Sequence, residues 1–454
     1  MQKRLFDDFS PVSAKEWKQK IQYELKGADY NAKMVWESPE GIKVKPFYTP
    51  EDYLADRQAS AAASPLAWKI AQLVGDGNEK EMNTRAHRYI AMGAESLIFD
   101  LSANNIDLKK LLADLDFNKV VLHFNLTVPP SGHINSLRKH LQGHGASYHI
   151  HFDPIAHLSQ TGNWYASQKE DLAEFDSCLS LTSNLCIDST RYQNAGAHMV
   201  QQLAYALAHA NEYLNLAEGK SVEKAIFKVA VGGNYFFEIS KLKALRKLWK
   251  VLTEAYGIPD QCHIIAGPTL RNKTLYAPKT NILRTTTEYM AAILGGADTL
   301  CPQPYDSVYD QTDNFSDRIA LNQLLLLKNE SHFDTCENPA TGSYYIESLT
   351  EQLAQKALAL FKQIEASGGF LKQLKAGTIQ KKIRESAQKE QQRFDKGEEV
   401  LVGINAYRNT KDKIKCDPKT GPFAKQNRKK TRIEPLIAKR LAEKSEIDRL
   451  KKEG

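Results

Sequence analysis

A chain of 454 residues, of which 42% are hydrophobic and 25% charged, has the composition of a globular protein with a large core. This composition excludes a chain that is disordered over most of its length. No uninterrupted apolar run approaches the roughly 18 residues that a membrane-spanning helix needs, and the N-terminus carries no apolar signal-peptide segment. The sequence therefore predicts a cytoplasmic protein without a membrane partner.

The net charge of +7 is concentrated near the C-terminus. Residues 405–454 contain 16 Lys/Arg and 7 Asp/Glu, so the rest of the chain is nearly neutral. This segment has only two aromatic residues, Tyr407 and Phe423, and thus little of the stacking surface that single-strand nucleic-acid binders use. We expect a solvated extension or a surface for a protein partner, and no nucleic-acid partner.

The N-terminal region begins with a helix signal. Ser13 and Glu16 have the spacing of a capping box, the apolar residues that follow recur at helical intervals, and Gly27 ends the pattern. The next segment, residues 36–50, is rich in Pro, Gly and aromatic residues and is typical of an extended arm rather than a packed element.

From about residue 66 short apolar strands alternate with amphipathic helices. Alternation of this kind implies parallel pairing, because each crossover must accommodate a helix. The predicted strands are 96–101, 120–125, 148–152, 185–188, 227–231, 263–266 and 298–301, and clear helices are 197–214 and 237–252. Seven strands, with room for an eighth, favour an α/β fold of the (β/α)₈ TIM-barrel class over an open sheet.

Long helices follow the barrel. Residues 349–393 are predicted to be helical with a break at Gly368 and Gly369, and a last helix is expected at 433–452 after a loose basic linker. We therefore divide the chain into an N-terminal helix and arm (1–60), a barrel (61–405) and a helical C-terminal extension (406–454).

Histidines and cysteines are the residues that could bind a metal. Six histidines fall within one short stretch, and two of them, His149 and His151, would share one face of a strand. The stretch contains His133, His140, His144, His149, His151 and His157. No Asp, Glu or Cys stands at a recognisable ligand spacing, so we interpret the histidines as structural. The six cysteines are widely spaced without a Cys-x-x-Cys pair and are expected to be reduced, mostly buried thiols.

Other chemical motifs are weak or missing. Gly232 and Gly233 follow a predicted strand, where a loop can bind an anion, but the pattern lacks a P-loop or a dinucleotide fingerprint. Gly295 and Gly296 precede a strand and are interpreted as a helix stop. There is no Gly-x-Ser-x-Gly nucleophile elbow. The residues alone thus predict a barrel without catalytic, cofactor-binding or metal-binding residues.

Several segments nevertheless resemble one family. They occur in the family's order and together span most of the chain: residues 36–52, 193–197, 233–242, 281–296, 338–350 and 402–405. These blocks are similar to those of the methylmalonyl-CoA mutases. The resemblance implies a TIM barrel that threads a CoA ester through its centre, and a separate C-terminal domain that binds adenosylcobalamin through the histidine of an Asp-x-His-x-x-Gly motif. The cofactor supplies the radical chemistry that interconverts methylmalonyl-CoA and succinyl-CoA.

The sequence departs from the family pattern where the substrate should bind. The family's CoA-contacting arginine and active-site tyrosine align with Leu66 and Leu73, and its catalytic histidine aligns with Arg191. Leucine at these positions removes donors and adds apolar bulk, and loss of the histidine removes a general acid. The Asp-x-His-x-x-Gly motif is missing, and we expect no cobalamin domain after the barrel.

The resemblance therefore implies a structural subunit that keeps the barrel, while a large catalytic partner in a heterodimer carries adenosylcobalamin and the chemistry. The predicted helix after Ser13 and the arm at 36–50 are candidates for contacting that partner, although both could instead fold back on their own barrel. One alternative is the barrel half of a split acyl-CoA mutase, which would bind an acyl-CoA itself and use cobalamin held by a separate protein. A third possibility, a chaperone for cofactor loading, predicts a nucleotide site, and the sequence has no P-loop.

Overall fold

The computed structural model describes residues 9–10, 12–52, 67–75, 77–102, 106–130, 134–143, 145–217, 219–309, 314–413, 423 and 430–453. Leu66, His133 and His144, together with Cys416, one of the six cysteines, lie outside these ranges.

Ten strands are formed by the described residues. They are β1 (Trp36–Glu37), β2 (Lys43–Val44), β3 (Lys69–Leu73), β4 (Ser96–Leu101), β5 (Val121–Leu126), β6 (Tyr148–His151), β7 (Asn184–Asp188), β8 (Lys224–Val231), β9 (Cys262–Pro268) and β10 (Thr299–Leu300).

The helices in the same part of the chain are α1 (Ala14–Glu24), α2 (Tyr30–Met34), α3 (Glu79–Ala91), α4 (Leu108–Leu111), α5 (Ile134–Gln142), α6 (Pro154–Thr161), α7 (Gln168–Thr182), α8 (Thr190–Asn194), α9 (Met199–Leu216), α10 (Tyr235–Tyr256), α11 (Thr280–Leu294), α12 (Asn314–Asn329), α13 (Tyr344–Ala366), α14 (Phe370–Lys375), α15 (Thr378–Lys396) and α16 (Glu443–Glu453). A short 3-10 turn occupies Pro50–Asp52. None of these helices is long and apolar enough to cross a membrane.

Strands β3 to β10 form one parallel sheet that curves into a nearly closed barrel. Each pairs with its successor from β3 to β6 and from β7 to β10, and β10 pairs in turn with β3 through Thr299 and Lys69. Strands β6 and β7 are the two ends of this sheet. The predicted TIM-barrel class is confirmed, and β3 is the strand that the sequence pattern left unassigned.

Alternation along each strand separates the outer core from the interior of the barrel. On β4, Leu97, Phe99 and Leu101 belong to the apolar core that the surrounding helices cover. The residues between them, such as Asp100, lie on the opposite face of the strand and line the interior. Helix α9 is buried along most of its length because α13 covers it from outside, as it also covers α10.

The N-terminal region agrees with the sequence in part. Ser13 and Glu16 form the predicted capping box, and α1 ends before Gly27. The expectation that 36–50 is not packed is wrong. Strands β1 and β2 pair as a small antiparallel unit, Ile42 is fully buried, and the Trp36 ring packs edge-on against Phe237 of α10 at 5.7 Å.

The C-terminal region differs more from prediction. The break at Gly368 and Gly369 is confirmed, since both have positive φ between α13 and α14. The last helix, however, begins at Glu443 rather than at residue 433. Pro435 has no amide hydrogen to contribute to a helix, and the residues around it bond to barrel loops instead. We name residues 431–446 the C-terminal strap.

The strap is packed, so the expectation of a solvated extension is wrong over these residues. Ile433, Leu436 and Leu441 are buried against the body of the protein. The amides of Leu436 and Lys439 donate to the carbonyls of Ser159 and Asn194 at 2.7 and 3.0 Å. The strap thus crosses the chain segments that follow β6 and β7 at the C-terminal face of the barrel.

Candidate functional site

Active sites of TIM barrels lie at the face where the strands end, and two of the substituted positions are found there. Leu73 is the last residue of β3, with 46% of its surface exposed. Arg191 lies in α8, directly after β7. Strands β3 and β7 are four places apart in the eight-stranded order, so the two residues stand on opposite sides of the barrel mouth.

Arg191 is held in an ion pair by a neighbouring carboxylate. Its Nε lies 3.0 Å from Oδ2 of Asp188, the residue that ends β7, and the two form an ion pair. Asp188 also accepts a hydrogen bond from the amide of Thr190 at 3.1 Å. The guanidinium of Arg191 is thus fixed beside the end of β7 by the residue that ends the strand.

Below the mouth, side chains from opposite strands meet across the barrel. His123 on β5 and His263 on β9 are four strands apart, yet their ring centroids are only 6.1 Å apart. His149 on β6 lies between them, with ring centroids 5.1 Å from His123 and 5.4 Å from His263. Three imidazoles therefore fill the axis of the barrel at this level. We name them, with His151, the histidine cluster.

The imidazoles satisfy part of their hydrogen bonding among themselves. Nδ1 of His123 is 3.0 Å from Nε2 of His151, and the other nitrogen of His151 is 3.2 Å from the thiol of Cys186. His263 bonds to the hydroxyl of Thr299 through Nε2 at 3.0 Å. The sequence placed His149 and His151 on one strand face, which the structure confirms, but it gave no sign that His123 and His263 join them.

A second set of polar contacts crosses the barrel nearer its mouth. Nζ of Lys228 on β8 donates to Oδ1 of Asn125 on β5 at 2.5 Å, and the amide nitrogen of Asn125 donates to Asp100 on β4 at 2.6 Å. Strands β5 and β8 are three places apart, so this contact also spans the interior. The barrel is thus filled at two levels by side chains that meet across it.

Burial keeps the histidine cluster uncharged near neutral pH. Desolvation, reinforced by His263 and Lys224, lowers the pKa of His149 to about 3. Burial likewise lowers the pKa of His123, His151 and His263 below the usual value. Neutral imidazoles can pack against one another without the repulsion that charged rings would suffer.

Among the described residues, no group of three or more His, Cys, Asp or Glu could hold a metal ion. The described histidines of the His-rich stretch lie in different parts of the fold. His157 stacks on Tyr165, His140 lies in α5, and His149 and His151 lie within the barrel. The five described cysteines are free, with Cys178 and Cys186 buried and Cys336 exposed.

The glycine loop after β8 binds a carboxylate of the protein itself. The amide of Gly232 donates to Oε1 of Glu238 at 2.8 Å, and Glu238 forms a buried ion pair with Lys241 at 2.5 Å. A carboxylate of the following helix therefore occupies the place where the loop could have bound a ligand anion. The helix stop predicted at Gly295 is confirmed, since Gly295 is the C-cap of α11.

Comparison with known proteins identifies the family of this chain. The methylmalonyl-CoA mutase family model matches residues 105–452, well over half of the chain. The chain belongs to this family.

Several curated relatives extend the match. The chain is 34% identical over 446 residues to the methylmalonyl-CoA mutase small subunit of Porphyromonas gingivalis, which covers 89% of this chain and 71% of that protein. It is 29% identical to the methylmalonyl-CoA mutase of Cereibacter sphaeroides and 27% identical to that of Escherichia coli, covering 87% of this chain in each case. It spans 64% of the length of each of these last two proteins, just under two thirds.

The resemblance implies that adenosylcobalamin binds through the histidine of an Asp-x-His-x-x-Gly motif, and the residues present do not provide this ligand, because the motif is missing from the sequence. The histidines carried by the barrel strands are held inside the barrel, where His123 and His151 are almost wholly buried.

Proposed function

We propose that this chain is the non-catalytic small subunit of a heterodimeric, adenosylcobalamin-dependent methylmalonyl-CoA mutase. The mutase interconverts methylmalonyl-CoA and succinyl-CoA, and in this proposal the large partner subunit binds the cofactor and the substrate. The small subunit contributes a folded barrel that stabilises its partner by binding it.

The contact between His123 and His263 across the barrel carries this proposal. The family's substrate threads through the barrel centre, whereas here imidazole rings from opposite strands are 6.1 Å apart at the axis. A pantetheine chain could pass only if the rings moved out of a close-packed interior, and such rearrangements are costly. The filled interior thus supports a subunit that does not take up a CoA ester.

The mouth of the barrel supports the same conclusion. Leu73 replaces a tyrosine that would touch the substrate, and Arg191 is held by Asp188 where the family has a histidine. A CoA ester at this mouth would meet neither the aromatic hydroxyl nor the imidazole of the catalytic chains. A buried polar ligand without hydrogen-bonding partners binds poorly.

Helix α1 is the favoured surface for the partner. The described arm at 36–50 packs on its own barrel, but none of the residues in α1 is buried. Trp17 and Tyr23 are 55% and 79% exposed, and aromatic residues are enriched at protein interfaces. Within the described chain, Trp17 packs against Phe47 of the arm with ring centroids 5.6 Å apart. An isolated helix of 11 residues is marginal in water, so a partner surface that covers the exposed remainder of α1 would stabilise it further.

The test is purification of the tagged chain from its native cells, followed by identification of the associated proteins and a mutase assay. We expect a larger chain at a one-to-one ratio, with activity that follows the larger chain. The double variant Trp17→Ser and Tyr23→Ser should lose this partner. Tyr407→Ser, which changes a residue that is 85% exposed elsewhere, is the matched control and should keep it.

Two results would contradict the proposal. The first is isomerisation of an acyl-CoA by this chain alone or with only a small cobalamin-binding protein, which would establish the split-mutase alternative. The second is tight binding of a CoA ester to the isolated chain, since Leu73 and Arg191 would then belong to a different substrate site.

A further inference from the structure

The barrel interior concentrates four imidazoles in one place. The ring centroids of His123, His149 and His263 lie 5.1 to 6.1 Å from one another. His151 stacks on His123 with centroids 5.3 Å apart and planes 12° apart. The strands that carry them, β5, β6 and β9, lie on both sides of the barrel. Any charge placed on these rings therefore acts across the whole barrel.

The groups around the cluster offer little compensation for such a charge. The charged or titratable groups on the surrounding elements are Lys69 on β3, Asp100 on β4, Cys186 and Asp188 on β7, Lys224 and Lys228 on β8, Asp298 and Cys301 flanking β10, and Arg246 on α10. The cations in this set would repel an imidazolium.

The carboxylates in that set already have partners. Asp298 pairs with Arg246 at 2.6 Å and Asp188 with Arg191 at 3.0 Å, while Asp100 accepts from an asparagine amide. The two thiols cannot serve as anions either, because burial raises the pKa of Cys186 and raises that of Cys301 to about 12.

Two nitrogens of the cluster have no bonding partner among the described residues. They are Nε2 of His123 and Nδ1 of His149, and both are buried. Once its ring is protonated, each of these nitrogens carries a hydrogen for which the described residues offer no acceptor. The proton would also create a charge with no counter-ion inside a filled barrel, which folding cannot tolerate at low cost.

We propose that the histidine cluster is an acid-sensitive lock that holds the barrel closed while its rings are neutral and forces it open when they are protonated. This inference rests on the packing of the four rings and does not depend on the proposed function. Its signature is proton uptake on unfolding. The unfolded chain exposes four histidines that accept protons near pH 6.5, whereas the folded barrel resists protonation.

The sign of the effect follows from the lowered pKa of each ring. Stability contributed by the cluster is complete above about pH 6.5, and it is lost progressively as the pH falls from there toward the lower pKa of the folded barrel, which for His149 is about 3. Lys224 and Lys228 increase this loss of stability, because their positive charges repel each imidazole that becomes protonated.

The experiment measures urea unfolding of the full-length chain between pH 8 and pH 4.5 and derives the number of protons taken up from the slope of stability against pH. We expect uptake of more than two protons at about pH 5. The variants His123→Gln and His263→Gln should each reduce this uptake by about one proton. His332→Asn, at an exposed histidine outside the barrel, is the matched control and should leave it unchanged.

A direct measurement covers the case in which the barrel variants do not fold. Nitrogen-15 NMR of the chain labelled at histidine reports the protonation of each ring in the folded protein. Four rings that stay neutral at pH 5.5 would support the lock. Titration of the four cluster histidines near pH 6.5 in the folded chain, or unchanged proton uptake in both glutamine variants, would overturn it.

Discussion

The amide of Ile433 donates a hydrogen bond of 3.1 Å to the carbonyl of Gly162, the residue that ends α6. Gly162 has a φ of +78°, and a Cβ added there would lie 2.6 Å from the Ile433 carbonyl oxygen and 2.7 Å from Cβ of Thr431. The C-terminal strap is therefore attached at a point where only glycine allows two backbone segments to approach so closely.

Substitution of this glycine should loosen the strap. We expect Gly162→Ala to lower the free energy of unfolding by about 2–4 kcal/mol, because the added methyl displaces the strap and the left-handed backbone is strained. Hydrogen exchange should accelerate from Ile433 to Leu441. Gly257→Ala is the matched control: Gly257 also has a positive φ, +66°, but no atom lies within 4 Å of its added Cβ. Equal effects in the two variants would mean that the strap contact contributes nothing.

A buried ion pair fixes the same strap to the barrel. Arg440 and Glu446 are 2.7 Å apart, and their side chains are 5% and 1% exposed. We expect Arg440→Met to destabilise the fold by about 3–5 kcal/mol, because it leaves a buried carboxylate without its counter-charge. Arg384→Met, which removes a half-exposed pair with Glu434, should cost less than about 1 kcal/mol.

The pH dependence of the Arg440→Met penalty is a further check. Burial raises the pKa of Glu446, and loss of the arginine removes the main group that opposes this rise. The variant should therefore regain stability relative to the native chain as the pH falls, because the isolated carboxyl takes up a proton. Urea unfolding at pH 8 and pH 5 measures the difference, and a penalty that grows at pH 5 would contradict this account.

Restoring the family's residues at the barrel mouth should not restore substrate binding. We expect the double variant Leu73→Tyr and Arg191→His to bind no CoA ester detectably by calorimetry, because His123 and His263 still fill the axis below the mouth. Detectable binding by the double variant at micromolar concentrations would mean that the mouth residues, not the interior, decide whether this barrel accepts a ligand.

Asp153, the N-cap of α6, is a carboxyl whose contribution to stability should also fall with the pH. Although burial opposes its ionisation, His209, the Tyr213 hydroxyl and the amide of Asp188 lower its pKa. Its stabilising contribution is thus complete above about pH 4 and is lost as the pH falls through the lower pKa of the folded state.

We expect Asp153→Asn to lower the free energy of unfolding by about 2–4 kcal/mol at pH 7 and to make acid unfolding less steep. Acid titration followed by circular dichroism measures both effects. Asp260→Asn, at an exposed loop position, should change neither, and an unchanged acid transition in Asp153→Asn would exclude this carboxyl as a contributor.

The sequence predicted the barrel because the helix and strand periods alternate clearly from β4 onward. It missed β3, because the Lys69–Leu73 pattern is short and begins with a charged residue. It also predicted that the last helix starts ten residues too early, because the spacing of Leu436 and Leu441 occurs here in a packed segment that is not helical. A local sequence pattern does not show which distant part of the fold a segment packs against, and that packing decides whether the segment is helical, extended or irregular.

Of the candidate site, only the residues that differ from the family pattern could be predicted from the sequence. Alignment with the family identified Leu73 and Arg191, and the structure places both at the barrel mouth. The meeting of His123 with His263 could not be predicted, because these residues belong to strands that are far apart in the chain and opposite in the barrel. That they line the interior follows from strand parity, but which rings meet depends on register and curvature.

The missing ladder between β6 and β7 has a consequence for how the barrel opens. In the part of the chain that the structure describes, these two strands are joined by side chains, through the contact of His151 with Cys186 and the hydrogen bond from the amide of Asp188 to Asp153 at 2.7 Å. The sheet is therefore a rolled ribbon with a seam rather than a continuous ring. Partial unfolding should start by separation at this seam, so amides on the facing edges of β6 and β7 should exchange with solvent long before those of β8 and β9.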